Sequence, residues 1–415
     1  MSKLKIAVVG LVDVSWGGAH SAQELALNEF ISSVEKNDEI YIYEKGWVDL
    51  QKSVETKTVV LRDLDYTRQE NSAKAHHNIL RKGLWFAFRR ISALKFFSKI
   101  FSLLQGRRLW LIQKRIKPVH YGIEQKLLDL DIQLVYFMSH PHHQKDFSQL
   151  PYFSTLWDTG HRDLPNFPEV SAKREFEIRE EALGASFKKS LAIFVESNEL
   201  KTKLVRFYGV SEDSIFVNKF APTKSSSTSE LPKGDYVLYP AQFWPHKNHI
   251  VLFEAISNIR ARGDSCRRLI LTGRDKGNLA FLLKKIAEFD IEKYVEIKGF
   301  LSQDELLALY RGAAALAMPS LLGPTNLPPL EAILFGVPVF VSQEGSYEIN
   351  HLSGVAVLDG WDSRDWEKVF LFNQSLPEVD SSQINTELLS RQKVNIANYR
   401  YNLNRARKSL ERFSG

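Results

Sequence analysis

The stretch MPSLLGPTNLPPLEAILFGVPVFV, Met318–Val341, decides the fold. A short apolar strand ends at Ser320, a turn rich in glycine and proline follows, and a helical run stops at Gly336 before the next apolar strand. Prolines suit the first helical turn, where their missing N–H would have no partner anyway. A strand, a helix and a second strand in this order predict a parallel βαβ unit.

The start of this helix is a predicted anion site. Its prolines cannot donate hydrogen bonds, so the free backbone N–H groups would be those of Thr325, Asn326 and Leu327. Such groups at a helix N-terminus bind phosphate. Glu331 follows in or near the first turn and is predicted to accept hydrogen bonds from ribose hydroxyls. The alternative is that Glu331 only caps its helix.

The same alternation runs through both halves of the chain and predicts an α/β fold with two doubly wound, Rossmann-like domains. Ligands in such sheets bind beyond the carboxyl ends of the strands. The Ser- and Pro-rich text APTKSSSTSELPKG predicts a linker. The predicted divisions are a first domain over 1–222, a linker over 223–234, a second domain over 235–382 and a helical segment over 383–415.

Composition narrows the class of protein. The 415 residues are 44% apolar and 25% charged, typical of a globular enzyme of two domains. A single cysteine, Cys266, excludes an intrachain disulfide and a cysteine zinc site, so a reducing cytoplasm is expected. The N-terminal text MSKLKIAVVGL is interpreted as a buried strand and not as a signal peptide.

The opening stretch resembles the donor-binding signature PSxxEGFGLPxLEAMAxGxPV of retaining GT-B glycosyltransferases of family 4. The residues in register are Pro319, Ser320, Leu327, Pro328, Leu330, Glu331, Ala332, Gly336, Pro338 and Val339. The resemblance implies a GT-B fold, in which two Rossmann-like domains face a central cleft, and a nucleotide-sugar donor bound by the second domain. One position departs from the pattern, because Gly323 replaces the first glutamate, usually assigned to the transferred sugar. We expect Thr325 and Asn326 to make the sugar contacts instead.

A second segment, YVLYPAQFWPHKNH, also resembles the family. Lys247 would place a positive charge on the donor diphosphate and stabilise the leaving group. The family's arginine five residues earlier is Gln242 here, so His246 or Arg274 is expected to supply the second cation. Three residues after the strand YVEIKG resemble the place where the family's backbone meets the nucleotide base, namely Gly299, Phe300 and Leu301.

The first domain carries two weaker signals. Gly17 and Gly18 resemble the family's glycine pair, although an ordinary tight turn explains them as well, and their spacing is not the GxGxxG of dinucleotide-binding oxidoreductases. TLWDTGHRDLPNFPEV resembles the family segment HDLxHRxxPEF, whose histidine lies beside the transferred sugar. His161 would therefore orient the sugar, with Asp158 and Arg162 on the acceptor side.

No catalytic metal and no cofactor are expected. The DxD patterns at 63–65 and 129–131 match that of metal-dependent GT-A enzymes, but the second precedes its strand. The cluster His140, His142, His143 and Asp146 lacks helical spacing of zinc ligands and is interpreted as an acceptor-side loop.

The net charge of +6 is concentrated in one basic stretch. Residues 81–118 hold eleven Lys or Arg and no acid, with Trp and Phe at helical spacing. This pattern is typical of a helix bound to an anionic membrane surface. A first-domain helix with its apolar side in the core is an equal alternative by periodicity, and nucleic-acid binding is not expected.

The sequence thus predicts a glycosyltransferase that moves a hexose or deoxyhexose from a GDP-, UDP- or dTDP-linked donor to a glycan or lipid-linked acceptor. The resemblance implies transfer with retention and without a metal. It also implies a role in bacterial surface polysaccharide synthesis. The expected location is the cytoplasm, peripheral at the inner face of the cell membrane. The alternatives are a GT-B-fold nucleotide-sugar epimerase and a non-catalytic nucleotide-sugar-binding module.

Overall fold

The structure is a computed structural model that describes residues 3–10, 18–43, 58–60, 123–139, 144, 147–222, 234–323, 327–345 and 348–413. Met1–Val60 and Ile132–Gly415 form one compact unit, and Leu61–Asp131 form another. Of the second unit the structure describes helix α2, Ile123–Asp129, and the two residues after it. The basic stretch 81–118 and the linker residues 223–233 lie outside the described residues.

The first sheet has seven parallel strands in the order β3-β2-β1-β4-β5-β6-β7. Its strands are β1 Lys5–Val9, β2 Glu39–Tyr43, β3 Thr58–Val60, β4 Leu134–Phe137, β5 Tyr152–Leu156, β6 Ala192–Val195 and β7 Ile215–Val217. The described helices of this half are α1 Gly18–Ile31, α3 Gly160–Asp163, α4 Pro168–Ser171, α5 Glu175–Ser186 and α6 Asn198–Tyr208.

The second sheet has six parallel strands in the order β10-β9-β8-β11-β12-β13. Its strands are β8 Tyr236–Pro240, β9 Arg268–Thr272, β10 Val295–Gly299, β11 Ala315–Met318, β12 Val339–Ser342 and β13 Val355–Leu358. The helices are α7 His249–Ala261, α8 Leu279–Glu288, α9 Gln303–Gly312, α10 Leu327–Leu334, α11 Ser363–Phe370 and α12 Ser381–Phe413. The prediction of two doubly wound parallel sheets is confirmed.

Strand composition explains both sheets. Central strands such as β4, β6 and β11 are continuous apolar runs that are buried along their whole length. Parallel sheets produce this pattern because helices cover both of their faces. In each sheet the strand order reverses direction beside the first strand, between β1 and β4 and between β8 and β11. Ligands of doubly wound folds bind at these switch points.

The long helix α12 packs in both cores. Its beginning, at Ile384 and Leu388, belongs to the core of the second sheet. Its later part, at Tyr399, Leu403 and Ala406, belongs to the core of the first sheet. The sequence predicted a helical segment over 383–415, and the structure shows that this helix contacts both cores. A helix of 33 residues is about 50 Å long, enough to reach from one core to the other.

Polar groups fix α12 on the first half. The Asn395 side chain donates to both carboxylate oxygens of the buried Glu29, at 3.0 and 2.9 Å. Burial raises the pKa of Glu29 to about 8, and the bond from Asn395 offsets part of this rise. The hydroxyls of Tyr136 and Tyr399 lie 2.9 Å apart in the same core.

The ion pair of Arg407 and Asp38 is almost fully buried. The guanidinium contacts both oxygens of Asp38 at 2.8 and 2.7 Å, and the side chains are 3% and 1% exposed. Asp38 also accepts the backbone N–H groups of Leu4 and Glu35, each at 3.0 Å. One carboxylate therefore joins the start of β1, the turn before β2 and the last helix.

We expect Asp38→Ala to lower the free energy of unfolding by about 3 kcal/mol, because it removes the buried partner of the Arg407 charge, whose other carboxylate contact is the more exposed Glu35. Chemical denaturation followed by far-UV circular dichroism measures this. The matched control is Asp235→Ala, which removes an exposed pair with Arg268 and should leave the midpoint nearly unchanged. Equal midpoints for both variants would show that the buried pair does not stabilise the fold.

None of the helices in the described part of the chain is both long and apolar enough to span a membrane. The predicted membrane contact falls on residues 81–118, outside the described residues, and stays a prediction.

Candidate functional site

The carboxyl edges of the two sheets face each other. Three contacts between residues that follow strands show this. The backbone of Gly160, after β5, lies against the side chain of Leu322, after β11. Glu169 in α4 accepts a hydrogen bond from His246, after β8. The N–H of Asn198, after β6, donates to Glu348 at 3.1 Å. The β8/β11 switch point therefore lies along the interface between the halves of the unit.

The turn after β8 and the loop after β11 are hydrogen-bonded to each other. A 3-10 turn, Pro245–Lys247, leads into α7. Its His246 carbonyl accepts the N–H of Leu321 at 3.0 Å, and Lys247 Nζ donates to Ser320 Oγ at 3.2 Å. Ser320 is buried, and its hydroxyl donates to the carbonyl of Leu322 at 2.6 Å. These bonds hold the lysine at the β8/β11 switch point.

The Lys247 ammonium is partly desolvated. Burial lowers its pKa from 10.5 to about 8, and the nearby carboxylates of Asp158 and Glu169 offset part of this fall. A cation that has lost much of its water interacts strongly with an anion brought beside it. Lys247 is therefore suited to hold a phosphate group.

His246 is paired with a carboxylate from the opposite half. Glu169 Oε1 accepts the backbone N–H of His246 at 3.0 Å and lies 2.6 Å from its Nδ1. Because a carboxylate only accepts hydrogen bonds, Nδ1 carries the proton and Nε2 is the remaining ring nitrogen. Burial lowers the pKa of His246, Glu169 raises it and Lys247 lowers it further.

The other predicted donor residues lie along neighbouring strand ends. Gln242 Oε1 accepts the indole N–H of Trp244 at 3.0 Å. After β9, the guanidinium of Arg274 lies 4.3 Å from the ring centre of Phe300, which is 45% exposed and follows β10. Gly299 has a φ of +69° and accepts the N–H of Gly273. Leu301 is half-buried beside them. The structure brings these residues to one edge of the sheet.

Glu331 lies in the second turn of α10, which begins at Leu327. The buried hydroxyl of Tyr310, in α9, donates to Glu331 Oε2 at 2.7 Å. Burial raises the pKa of Glu331, and this hydrogen bond lowers it. The alternative that Glu331 only caps its own helix stays open, because residues 324–326, just before Leu327, lie outside the described residues. Thr325 and Asn326 lie outside the described residues, and the ribose contact of Glu331 stays a prediction.

His161 is fully buried in a polar cluster of the first half. Its Nε2 lies 2.8 Å from Glu180 Oε1 and 3.2 Å from the hydroxyl of Tyr208. Arg162 binds both oxygens of the same glutamate. Burial lowers the pKa of His161, and Glu180 offsets part of this. Its Nδ1 has no hydrogen-bond partner among the described residues.

Asp158 lies at the interface near Lys247. Its Oδ1 accepts the N–H of Gly160 at 2.8 Å and a bond from Arg179 at 3.1 Å. The carboxylate is thus held at the start of α3. The acceptor-side roles of Asp158 and Arg162 and the sugar-orienting role of His161 stay predictions.

The remaining predicted sites lie partly beyond the description. Gly18 begins α1, whereas Gly17 lies outside the described residues. The same holds for the cluster of His140, His142, His143 and Asp146 and for the DxD pattern at 63–65. Asp129 ends α2, and Asp131 follows it with a φ of +56°. The described residues contain no group of three or more His, Cys, Asp or Glu arranged to hold a metal.

A family of known proteins matches part of the second half of the chain. Residues 222–351 match the family Glycosyl transferases group 1. This group 1 region contains β8 to β12, the 245–247 turn and the loop after β11. The contacts of Lys247 with Ser320 and of His246 with Leu321 therefore lie inside the matched residues.

Curated relatives resemble about half of the chain. The O-antigen chain mannosyltransferase RfbU of Salmonella typhimurium is 26% identical over 48% of this chain and 55% of its own length. The D-inositol 3-phosphate glycosyltransferase of Pseudarthrobacter chlorophenolicus is 29% identical over 43% of this chain and 46% of its own length. The chain spans about half the length of the curated relatives it matches.

Solved glycosyltransferase structures resemble the chain over nearly its whole length. TarM superimposes with a TM-score of 0.59 and 12% identity, over 100% of this chain and 98% of its own. Anabaena HepE in complex with UDP-glucose superimposes with a TM-score of 0.55 and 15% identity, over 99% of each chain. At this identity the likeness establishes the fold, and the predicted GT-B fold is confirmed.

Sequence reasoning missed three side chains that hold the site. Glu169 pairs with His246, Glu180 binds both His161 and Arg162, and Tyr310 binds Glu331. Glu169 belongs to the segment TLWDTGHRDLPNFPEV, so its place near a family motif was the available signal. No local pattern marks the other two, because their partners come from different helices.

We expect Gly160→Ala to strain the contact between the halves, because the added Cβ would lie 2.6 Å from Leu322 Cδ2 and 3.0 Å from Asp158 Oδ1. Overpacking of this kind costs about 1–3 kcal/mol, measured as a lower midpoint in urea. Gly160→Ala combined with Leu322→Ala should cost less than the sum of the single variants, since the shortened side chain frees the space. Additive effects would contradict the direct contact.

Proposed function

We propose that the protein is a glycosyltransferase that moves a hexose or deoxyhexose from a nucleotide sugar to a glycan or lipid-linked acceptor. The observation that carries the proposal is Lys247, held against Ser320 at the β8/β11 switch point inside the group 1 region. A partly desolvated cation at this point of a doubly wound sheet suits the diphosphate of a nucleotide. The donor is GDP-, UDP- or dTDP-linked.

The names of the relatives support the setting. Two curated relatives are O-antigen chain mannosyltransferases, and one similar structure is a lipopolysaccharide outer core galactosyltransferase. Synthesis of a bacterial surface polysaccharide, at the cytoplasmic side of the membrane, is the role we propose for this chain.

The proposed chemistry follows from the charges around the interface. As the bond between sugar and diphosphate breaks, negative charge accumulates on the leaving phosphate, and Lys247 stabilises it. Arg274, with Gln242 and the 299–301 backbone, borders the nucleotide, and Glu331 Oε1 accepts from the ribose. Transfer with retention needs the acceptor on the same face as the leaving group. The leaving phosphate then takes the acceptor proton, so no side-chain base is required.

We propose an orienting role for His161. Its Nε2 is bound to Glu180 in a buried cluster, so it acts on the sugar through the placement of α3 and not as a base. Asp158 and Arg162 border the acceptor side. No metal is required, because side-chain cations neutralise the diphosphate.

The direct test incubates the protein with a panel of nucleotide sugars and an extract of lipid-linked glycans, and follows sugar release or transfer. Lys247→Ala should lower kcat/KM about 100-fold, since a group that stabilises charge in the transition state is lost. The control is Lys284→Ala, which removes a 74% exposed lysine of α8 and should leave the rate unchanged. Binding without turnover would favour a non-catalytic module, and turnover of the donor alone to an epimeric sugar would favour an epimerase.

The proposed role of Lys247 predicts a pH dependence. Its pKa is lowered to about 8 in the free protein, so the charged form predominates below pH 8 and is lost as the pH rises. Because kcat/KM reports the free enzyme, it should fall above about pH 8. Lys247→Arg, whose charge does not titrate, should keep the plateau to higher pH. An identical fall in both proteins would exclude the lysine as the titrating group.

Treatment with EDTA should leave the rate unchanged, because the proposed diphosphate site uses only side-chain cations. The measurement compares initial rates before and after chelation and after readdition of Mg²⁺ or Mn²⁺. Loss of activity that a metal restores would redirect attention to the DxD pattern at 63–65 and the histidines at 140–143.

A further inference from the structure

Glu169 is a carboxylate from the first half of the molecule that reaches the proposed donor site in the second. Its side chain is 7% exposed and lies in α4, 77 residues before its partner His246. Oε1 accepts two bonds from that histidine, one from the backbone N–H and one from the ring. Oε2 is buried and has no hydrogen-bond partner among the described residues. An ionised group with so little exposure is costly unless it is paired.

The pairing fixes the orientation of the imidazole. With Nδ1–H bound to Glu169, any further proton must go to Nε2, and the ring plane is set by the carboxylate. The same arrangement orients histidines that bind metals, in which a carboxylate holds one nitrogen and the other faces the ligand. His246 immediately precedes Lys247, and its carbonyl is bonded to Leu321 in the loop after β11. Its ring therefore belongs to the same turn as the proposed phosphate-binding lysine.

Without a ligand, burial holds the pKa of His246 below its ordinary value. Glu169 and Asp158 favour its protonated form, whereas burial and the adjacent Lys247 disfavour it. A nucleotide diphosphate bound at Lys247 would add negative charge on the same side. Opposite charge within about 4–6 Å stabilises a protonated imidazole. The bound diphosphate therefore stabilises the protonated form of His246.

We propose that Glu169 positions His246 as the second cation of the diphosphate site, and that binding of a nucleoside diphosphate is coupled to uptake of one proton at His246 Nε2. The protonated His246 thereby supplies the positive charge that the family's arginine would give at the position of Gln242. Because Glu169 comes from the first half, the complete cation site exists only when the two halves are in contact. This inference rests on the donor site of the proposed function.

The test is isothermal titration calorimetry of UDP and GDP at pH 7.0 in two buffers of different ionisation enthalpy. The difference in apparent enthalpy gives the protons taken up per nucleotide. We expect the wild-type protein to take up more than half a proton. His246→Gln should take up none and bind the nucleotide at least tenfold more weakly. Glu169→Gln should lose most of the uptake and several-fold in affinity, since a neutral amide no longer favours the imidazolium.

Two further variants separate the titrating group from general disruption. Glu212→Gln removes a 73% exposed carboxylate of the first half, and it should match the wild-type protein in affinity and uptake. Lys247→Arg keeps a charge that does not titrate, and it should retain the uptake. Loss of uptake in Lys247→Arg, with uptake preserved in His246→Gln, would assign the proton to the lysine and overturn the inference.

Each negative result of the calorimetry contradicts a different part of the proposal. Nucleotide binding by the wild-type protein without proton uptake would overturn the coupling and leave the donor site standing. Full uptake in Glu169→Gln, in a variant that melts like the wild-type protein, would overturn the positioning role of Glu169. Absence of binding of either nucleotide would overturn the donor site and this inference together.

Discussion

The burial of one helix in two cores is the constraint on which the arrangement of the described halves depends. Helix α12 packs Ile384 and Leu388 under the second sheet and Tyr399 and Leu403 under the first. A helix with its backbone fully hydrogen-bonded is stiff, so it sets the distance and direction between the sheets it joins. The buried pair of Arg407 and Asp38 then fixes the register of its last turns. The contacts between the facing carboxyl edges form within this arrangement.

The candidate site is a product of that placement more than of any single motif. Lys247 and Ser320 meet within one sheet, where the β8/β11 reversal brings two strand ends together. His246 and Glu169 meet across the halves. The first contact requires only the second half to fold, whereas the second requires both halves in position. The contact between His246 and Glu169 therefore depends on the distance between the halves.

Much of the fold could be predicted, because buried parallel strands such as AIFV and ALAM are short apolar runs flanked by helical segments. Lys247 could be singled out by its register with a known motif. The packing of α12 on the first sheet could not be predicted, because Tyr399, Leu403 and Ala406 form an apolar helical stripe that does not show which sheet it covers. The pairing of Glu169 with His246 could not be predicted either, because it joins residues 77 positions apart through the placement of two sheets. The complete burial of His161 depends on α5 and α6, which supply Glu180 and Tyr208.

The contacts of Asp38 join segments that are far apart in the sequence, and this separation affects the order in which the chain folds during synthesis. The carboxylate joins Leu4, near the start of the described chain, to Arg407, 369 residues later than Asp38 itself. Contacts of such sequence separation form late, because closing a long loop precedes any gain from the contact. On the ribosome the first sheet would emerge and form with the groove for α12 still open. Its apolar floor, which includes Phe30 and Phe194, stays exposed to water and to other nascent chains until the last helix is released.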